Sequence, residues 1–180
     1  SVISDQDRLL SALESLRLLA RGDLSDGEMF EEIDFVQLIR DIVAYHNNQF
    51  KDLNIDLHLP SDPPLAHAWR EGITVLFRNL IENAYVHANT PGKDLKIEIY
   101  VGVSGKEIRI DVDDNGPGIP ENERGSVIDR FSRGSKAVGS GTGLGLSLVK
   151  QQAELHGGSA FISDSPLNGT RVTITLPVVI

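Results

Sequence analysis

The chain has 180 residues, 40% of them hydrophobic, enough for one domain with a packed core or for a domain with an appendage. A net charge of -9 argues against a nucleic-acid backbone or an anionic membrane as the main partner, because such binding draws on a broad basic surface. The absence of cysteine excludes a disulfide framework and a thiolate metal site and fits a reducing compartment, and no apolar run reaches membrane-spanning length. The first residues lack the basic-then-apolar pattern of a signal peptide, so the N-terminus reads as a fragment boundary, and a membrane anchor could lie outside the fragment.

Residues 5 to 21 place Leu9, Leu10, Leu13, Leu16 and Leu19 at helical spacing with charged residues between, predicting an amphipathic helix broken at Gly22 to Gly27. Its leucine stripe has no companion helix beside it, so it either packs on the following domain or waits for helices outside the chain. After a linker over 23–29, Ile33 to Phe35 reads as a short strand and Val36 to Phe50 as a helix. Strict alternation at Leu53, Ile55, Leu57 and Leu59 predicts a half-buried strand, which Pro60 to Pro64 ends. A long helix follows over Trp69 to Ala88, stopped by Pro91-Gly92. Leu95 to Val103 and Lys106 to Val112 form a hairpin around Ser104-Gly105. Residues 115 to 142, rich in glycine and charge, carry little periodicity and have the length of a functional lid. Leu144 to Leu155 is helical, His156-Gly157-Gly158 closes that helix, and Ser159 to Ser163 and Thr170 to Leu176 read as strands around a turn. Helices mixed with mainly antiparallel strands predict a two-layer α/β sandwich.

Four blocks carry chemistry. Asn79 and Asn83 stand one helical turn apart and share a face at the margin of the apolar stripe, where a carboxamide oxygen could join phosphate oxygens and waters around magnesium. The competing reading is decoration of a helix, against which stands the poor helix propensity of asparagine. Asp114 ends a strand ahead of Gly116-Pro117-Gly118; a buried ionised aspartate accepts hydrogen bonds only and so selects adenine, whose exocyclic amine donates, over guanine. An ordinary turn with Asp114 capping an amide is the other reading. Gly139, Gly141, Gly143 and Gly145 alternate directly before a helix, where backbone N–H groups can meet phosphates. This spacing fits neither the dinucleotide fingerprint nor the P-loop. A flexible linker competes with it, weakened by the apolar helix that begins inside the repeat. Arg130 and Arg133 flank Phe131 and could bring two guanidinium groups to a γ-phosphate, or could be solvated surface. None of the five histidines shows metal spacing, and His156 reads as a helix C-terminal feature.

In their order, these blocks resemble the ATP-binding catalytic domain of sensor histidine kinases in the GHKL superfamily over roughly residues 30 to 177. Asn79 to Ala88 is similar to the family's N box, Asp114 to Ile119 to its G1 box, Ile128 to Arg133 to its F box and Gly141 to Leu146 to its G2 box; His156-Gly157-Gly158 and Asn168-Gly169-Thr170 match as well. The resemblance implies a Bergerat-type sandwich, a mixed and mostly antiparallel sheet covered on one face by three helices. The catalytic domain would run over 30–180 with an ATP lid at about 119–140, and residues 1–22 would be the C-terminal part of the second helix of a dimerisation and phosphoacceptor hairpin. The implied cofactors are ATP and Mg2+. Asn83 would ligate magnesium, Asn79 would support the phosphates and act with Arg130 and Arg133 in transfer, and Asp114 would hold the adenine amine. His87, Gly116, Gly118, Ile119, Phe131, Gly141, Thr142, Gly143, Leu144, Gly145, Leu146 and Thr170 would complete the ATP contacts.

No histidine here has the context of the family's phosphoacceptor, so the chain should not label itself. The implied partners are the hairpin of the same protein, homodimeric in full length, and a cognate response regulator, with no nucleic acid. The implied setting is the cytoplasmic part of a membrane-anchored bacterial sensor. Val86 departs from the Lys or Arg of many relatives, so that phosphate contact is either lost or supplied by a cation such as Lys136 or Arg78. Hydrolytic relatives place a glutamate one turn before the metal asparagine; Asn79 cannot take up a proton there, which predicts slow ATP hydrolysis. Two alternatives stand beside histidine phosphorylation: a GHKL serine kinase acting on an anti-sigma-factor antagonist, and a nucleotide-sensing module without transfer. The leucine helix argues against the serine kinase.

Overall fold

The computed structural model describes residues 13, 17, 30–50, 52–62, 64–129 and 145–178. Of the expected leucine helix, Leu13 and Arg17 are described and helical, with Leu13 exposed; its other residues and the linker over 23–29 lie outside the described residues.

Strand β1 (Glu31–Asp34) leads into helix α1 (Phe35–Gln49), which starts where the Asp34 carboxylate accepts the Gln37 N–H at 2.9 Å. Phe35, Ile39, Ile42 and Val43 then bury one stripe of the helix. β2 (Ile55–His58) and β3 (Leu65–Ala68) follow, and β3 returns to pair antiparallel with β1 as a separate two-stranded ribbon. Sequence alternation missed β3 because its inward positions are Ala66 and Ala68 while Leu65 points out, so the hydrophobic signal is inverted.

Helix α2 (Arg70–Ala88) is the centre of the helical layer and is buried on three sides. Against α1 it sets Phe77 edge-on to Phe35 at 5.9 Å and Tyr85 over Phe50 at 4.5 Å. Trp69, at its cap position, has no capping side chain; its backbone N–H donates instead to His156 Nε2 at 3.1 Å. Strands β4 (Ile97–Ser104) and β5 (Glu107–Asp114) form the expected hairpin, followed by the short helix α3 (Glu121–Ile128), helix α4 (Gly145–Leu155), β6 (Ser159–Asp164) and β7 (Thr170–Pro177). α3 lies inside the stretch read as irregular: only Val127 and Ile128 are buried, and Gly125 interrupts it, so no apolar period marks it.

The main sheet runs β2-β4-β5-β7-β6, parallel between β2 and β4 and antiparallel elsewhere. One face carries Ile97, Ile99, Val101, Ile108, Ile110, Val112, Val172, Ile174 and Leu176 into the core beneath the helices. On the other face charges pair across and along strands. Arg171 grips Asp113 through two bonds at 2.9 and 2.6 Å, and Arg109 and the Thr173 hydroxyl both donate to Asp111. The expected α/β sandwich with a mixed, mostly antiparallel sheet is therefore what the chain forms. Among the residues described from 30 on, α1, α2 and α4 are the three long helices, and α3 is a fourth, short one.

Candidate nucleotide-binding site

The C-terminal ends of α2 and β5, the start of α4 and the β6–β7 turn meet at one end of the sheet. Asp114, the last residue of β5, is 5% exposed, and its Oδ1 accepts two backbone N–H groups, from Gly116 at 2.8 Å and Thr170 at 3.1 Å. Among the described residues no hydrogen bond reaches its second oxygen, so the carboxylate is held by one atom and offers the other. Burial pushes the Asp114 pKa up, opposed by the two amide bonds and the nearby Lys93 charge; the net shift is upward.

Backbone is packed tightly around this carboxylate. A Cβ on Gly116 would stand 2.9 Å from Ala88 Cα and 3.0 Å from the His87 carbonyl, so the G1 turn lies directly against the end of α2. A Cβ on Gly169 would lie 2.5 Å from Asp114 Oδ1. Asn115 fixes the turn from the other side: its Oδ1 accepts from Lys96 N at 3.0 Å, its Nδ2 donates to Asp94 O at 2.7 Å, and its carbonyl accepts from Lys93 Nζ. The sequence reading assigned no role to Asn115 or Lys93 and gave Gly169 only as part of a motif. For Asn115 the available signal was an asparagine directly before glycine in a turn that must hold its shape.

On α2, Asn79 is 7% exposed and its Nδ2 donates to the Val75 carbonyl at 2.8 Å. Its Oδ1 faces the first residue of α4, within 3.5 Å of where a Gly145 Cβ would stand. The half-buried Asn83, one turn on, makes no hydrogen bond among the described residues, which leaves its carboxamide oxygen available to a cation. Thr170 and Leu146 are buried, and Gly118, Ile119, His87 and Gly145 are half-buried. Asn79, Asn83, His87, Asp114, Gly116, Gly118, Ile119, Gly145, Leu146 and Thr170 are thus the anticipated residues whose surroundings can be described. Arg130, Phe131, Arg133, Lys136, Gly141, Thr142, Gly143 and Leu144 lie outside the described residues. Arg78 stands near enough to His46 on α1 for its charge to help lower the His46 pKa, behind burial as the main cause. That puts its guanidinium at the α1–α2 contact, whereas Asn79 faces α4.

His156 closes the far end of the α2–α4 seam. Its Nδ1–H donates to Gln152 O at 2.6 Å while its Nε2 accepts from Trp69, which fixes the neutral tautomer; burial lowers its pKa. The ring has no free nitrogen, which supports the helix C-terminal reading over a catalytic one. Among the described residues there is no cluster of three or more His, Asp or Glu that could hold a metal, so a cation here would rely on Asn83 and the ligand's own oxygens. No described helix is long and apolar enough to cross a membrane.

The sheet order, the central α2 with its two asparagines and the buried Asp114 before a glycine turn define an ATPase domain of the GHKL type. The chain belongs to the histidine kinase-, DNA gyrase B-, and HSP90-like ATPase family, whose profile matches residues 70–180. Over 176 residues it is 38% identical to the sensor-type histidine kinase PrrB of Mycobacterium tuberculosis, covering 98% of this chain and 38% of that protein. It is 31% identical over 182 residues to the signal transduction histidine-protein kinase AfsQ2 of Streptomyces coelicolor, covering 98% of this chain and 32% of that protein. The crystal structure of the ATP binding domain of PrrB from M. tuberculosis superposes with a TM-score of 0.70 at 31% identity, covering 85% of this chain and all of that one. The chain therefore spans about two fifths of the length of its PrrB relatives.

Proposed function

We propose that this chain is the catalytic part of a sensor histidine kinase. It binds Mg-ATP and passes the γ-phosphoryl group to a histidine on a helical hairpin of the same protein, from which a response regulator takes it. The observation that carries this reading is the half-committed carboxylate of Asp114: Oδ1 is fixed by two amides, and the other oxygen is left to accept from an adenine amine. Gly116 and Gly169 keep side chains out of the space beside it.

Asn83 supplies the protein's oxygen to magnesium, which when bound would draw charge from the phosphate oxygens. Asn79 holds its own oxygen toward Gly145, at the start of α4, and supports the phosphates from there. As Asn79 cannot accept a proton from water, the site aligns an external imidazole with the γ-phosphate and leaves water unactivated. Arg130 and Arg133 neutralise charge on the transferring group. The names of the similar proteins PrrB and AfsQ2, both histidine kinases, favour histidine as acceptor over serine. In full length the protein would be a homodimer through its hairpin, with this part in the cytoplasm and an anchor in the membrane.

The test supplies labelled ATP, magnesium and a separate phosphoacceptor hairpin. Acid-labile label on the hairpin histidine is the expected outcome. Nucleotide binding without transfer to any histidine would leave a sensing module, and no binding of ADP or of a non-hydrolysable ATP analogue would overturn the reading altogether.

A further inference from the structure

The chain contains two Asn-Gly pairs, and they stand in opposite circumstances. Asn115 is 7% exposed, both ends of its carboxamide are bonded, and the following Gly116 N–H is engaged by Asp114 at 2.8 Å. Asn168 is exposed, sits at φ +66° in the β6–β7 turn, and among the described residues no hydrogen bond reaches its carboxamide or the Gly169 N–H. Among the described residues the turn is held by Ser165 N–H to Gly169 O at 3.1 Å, Asn168 N–H to Ser165 O at 3.0 Å and Leu167 N–H to Ser165 Oγ at 3.0 Å, none of which engages the Asn168 carboxamide or the Gly169 N–H. It opens on a cleft of about 380 Å³ shared with Pro117 to Pro120 and Arg124, so water reaches it. Glycine at 169 puts no side chain between its nitrogen and the Asn168 carboxamide carbon.

We propose that Asn168 is a site of spontaneous deamidation whose isoaspartate product disables the neighbouring nucleotide site, this second part resting on the function proposed above. The Gly169 nitrogen bonds to Asn168 Cγ while the Cγ–Nδ2 bond breaks, and the displaced nitrogen leaves as ammonia with the amide proton. The resulting succinimide takes up one water. Opening at Cγ gives aspartate; opening at the main-chain carbonyl gives isoaspartate, whose backbone runs through Cβ and is one carbon longer.

The pocket is sensitive to that extra carbon because Gly169 has no room to move toward it. A single Cβ there would lie 2.5 Å from Asp114 Oδ1 and 2.6 Å from Gly116 N. The next residue, Thr170, supplies one of the two amides that fix Asp114. Lengthening the turn displaces Gly169 and Thr170 and releases the carboxylate from its orientation.

The protein is aged at mildly alkaline pH, digested and weighed, and isoaspartate is read with an isoaspartyl methyltransferase while ADP affinity is followed by calorimetry. The Asn168 peptide is expected to gain the mass of OH replacing NH2 while the Asn115 peptide does not. The isoaspartate fraction should bind ADP about tenfold or more weakly, the effect of losing a hydrogen bond to a charged group. Asn168→Gly, which accepts the positive φ, should keep its affinity through the same ageing. No conversion at Asn168, or equal conversion at Asn115, overturns the modification site. Full ADP affinity in the isolated isoaspartate fraction overturns its link to the pocket. If fresh protein binds no ADP, the function proposed above fails, and the mass readout still decides the modification.

Discussion

At Asp114 a single side chain carries two demands of opposite sign. The nucleotide reading needs it ionised, while burial favours the neutral acid and raises its pKa. A carboxyl whose folded pKa is raised stabilises the fold only at low pH, and that contribution is lost as pH rises through the folded value. Asp114→Asn should therefore leave thermal stability at neutral pH unchanged or slightly higher. It should also weaken ADP binding by about 1.5–3 kcal/mol, because the amide can still accept from Gly116 and Thr170 but turns a donor toward the adenine amine. Calorimetry across pH checks the same point: wild-type affinity should fall with acidification at a midpoint above the ordinary carboxylate range, and the Asn variant should not show that step. Asn83, which makes no hydrogen bond among the described residues, is expected to behave differently from a packing residue. Asn83→Ala should abolish the gain in nucleotide affinity on adding magnesium while the melting temperature stays within about a degree or two, as for substitutions away from structural features.

Among the elements, the α2–α4 seam positions the site. At one end Asn79 lies over Gly145, and at the other His156 replaces the side-chain cap that α2 lacks. His156→Leu would strand the Trp69 N–H, in a residue 5% exposed, at a cost of about 1–3 kcal/mol; His156→Gln, which offers an acceptor, should recover part of it in denaturant unfolding. Helix α3 presents the reverse case. Gly125 lies in its interior with nothing within 4 Å of where a Cβ would stand, so Gly125→Ala should stabilise the protein by roughly 0.5–1 kcal/mol through helix propensity alone. Loss of stability on that change would mean that α3 needs the glycine for another reason.

For the molecule as a whole, the sheet has one apolar face and one charged face, and both are structural. Asp113 is 1% exposed on the charged face, and its two bonds to Arg171 join β5 to β7 at the middle of the sheet. Arg171→Leu should cost roughly 2–3 kcal/mol in chemical denaturation. That is less than the ~3–5 of a fully buried pair, because the Arg171 side chain keeps 23% exposure. Beside it, burial pushes the Asp111 pKa up, but Arg109 and Thr173 outweigh it and hold the carboxyl below its usual range. Its stabilisation is thus present above the ordinary carboxylate pKa and lost as pH falls, opposite in sign to that of Asp114.

The sequence by itself determined the long, periodic elements and singled out the candidate residues for chemistry. Apolar spacing marked α1, α2, α4 and the β4–β5 hairpin because each buries one face against the same core. Asp114, Asn79 and Asn83 stood out because acceptor and carboxamide side chains are costly beside a core unless something uses them. Tertiary structure alone decided the rest. β3 turns alanines inward and α3 buries only its last residues, so neither leaves a hydrophobic period to read. That Asp114 would be held by one oxygen, that Gly169 would lie against it from a turn more than fifty residues away, and that Asn115 would clamp the turn through Lys96 and Asp94 are all consequences of which sheet edges and loops meet at one end of the fold. Local propensity is written residue by residue, whereas the geometry of a site is set by contacts between segments distant along the chain.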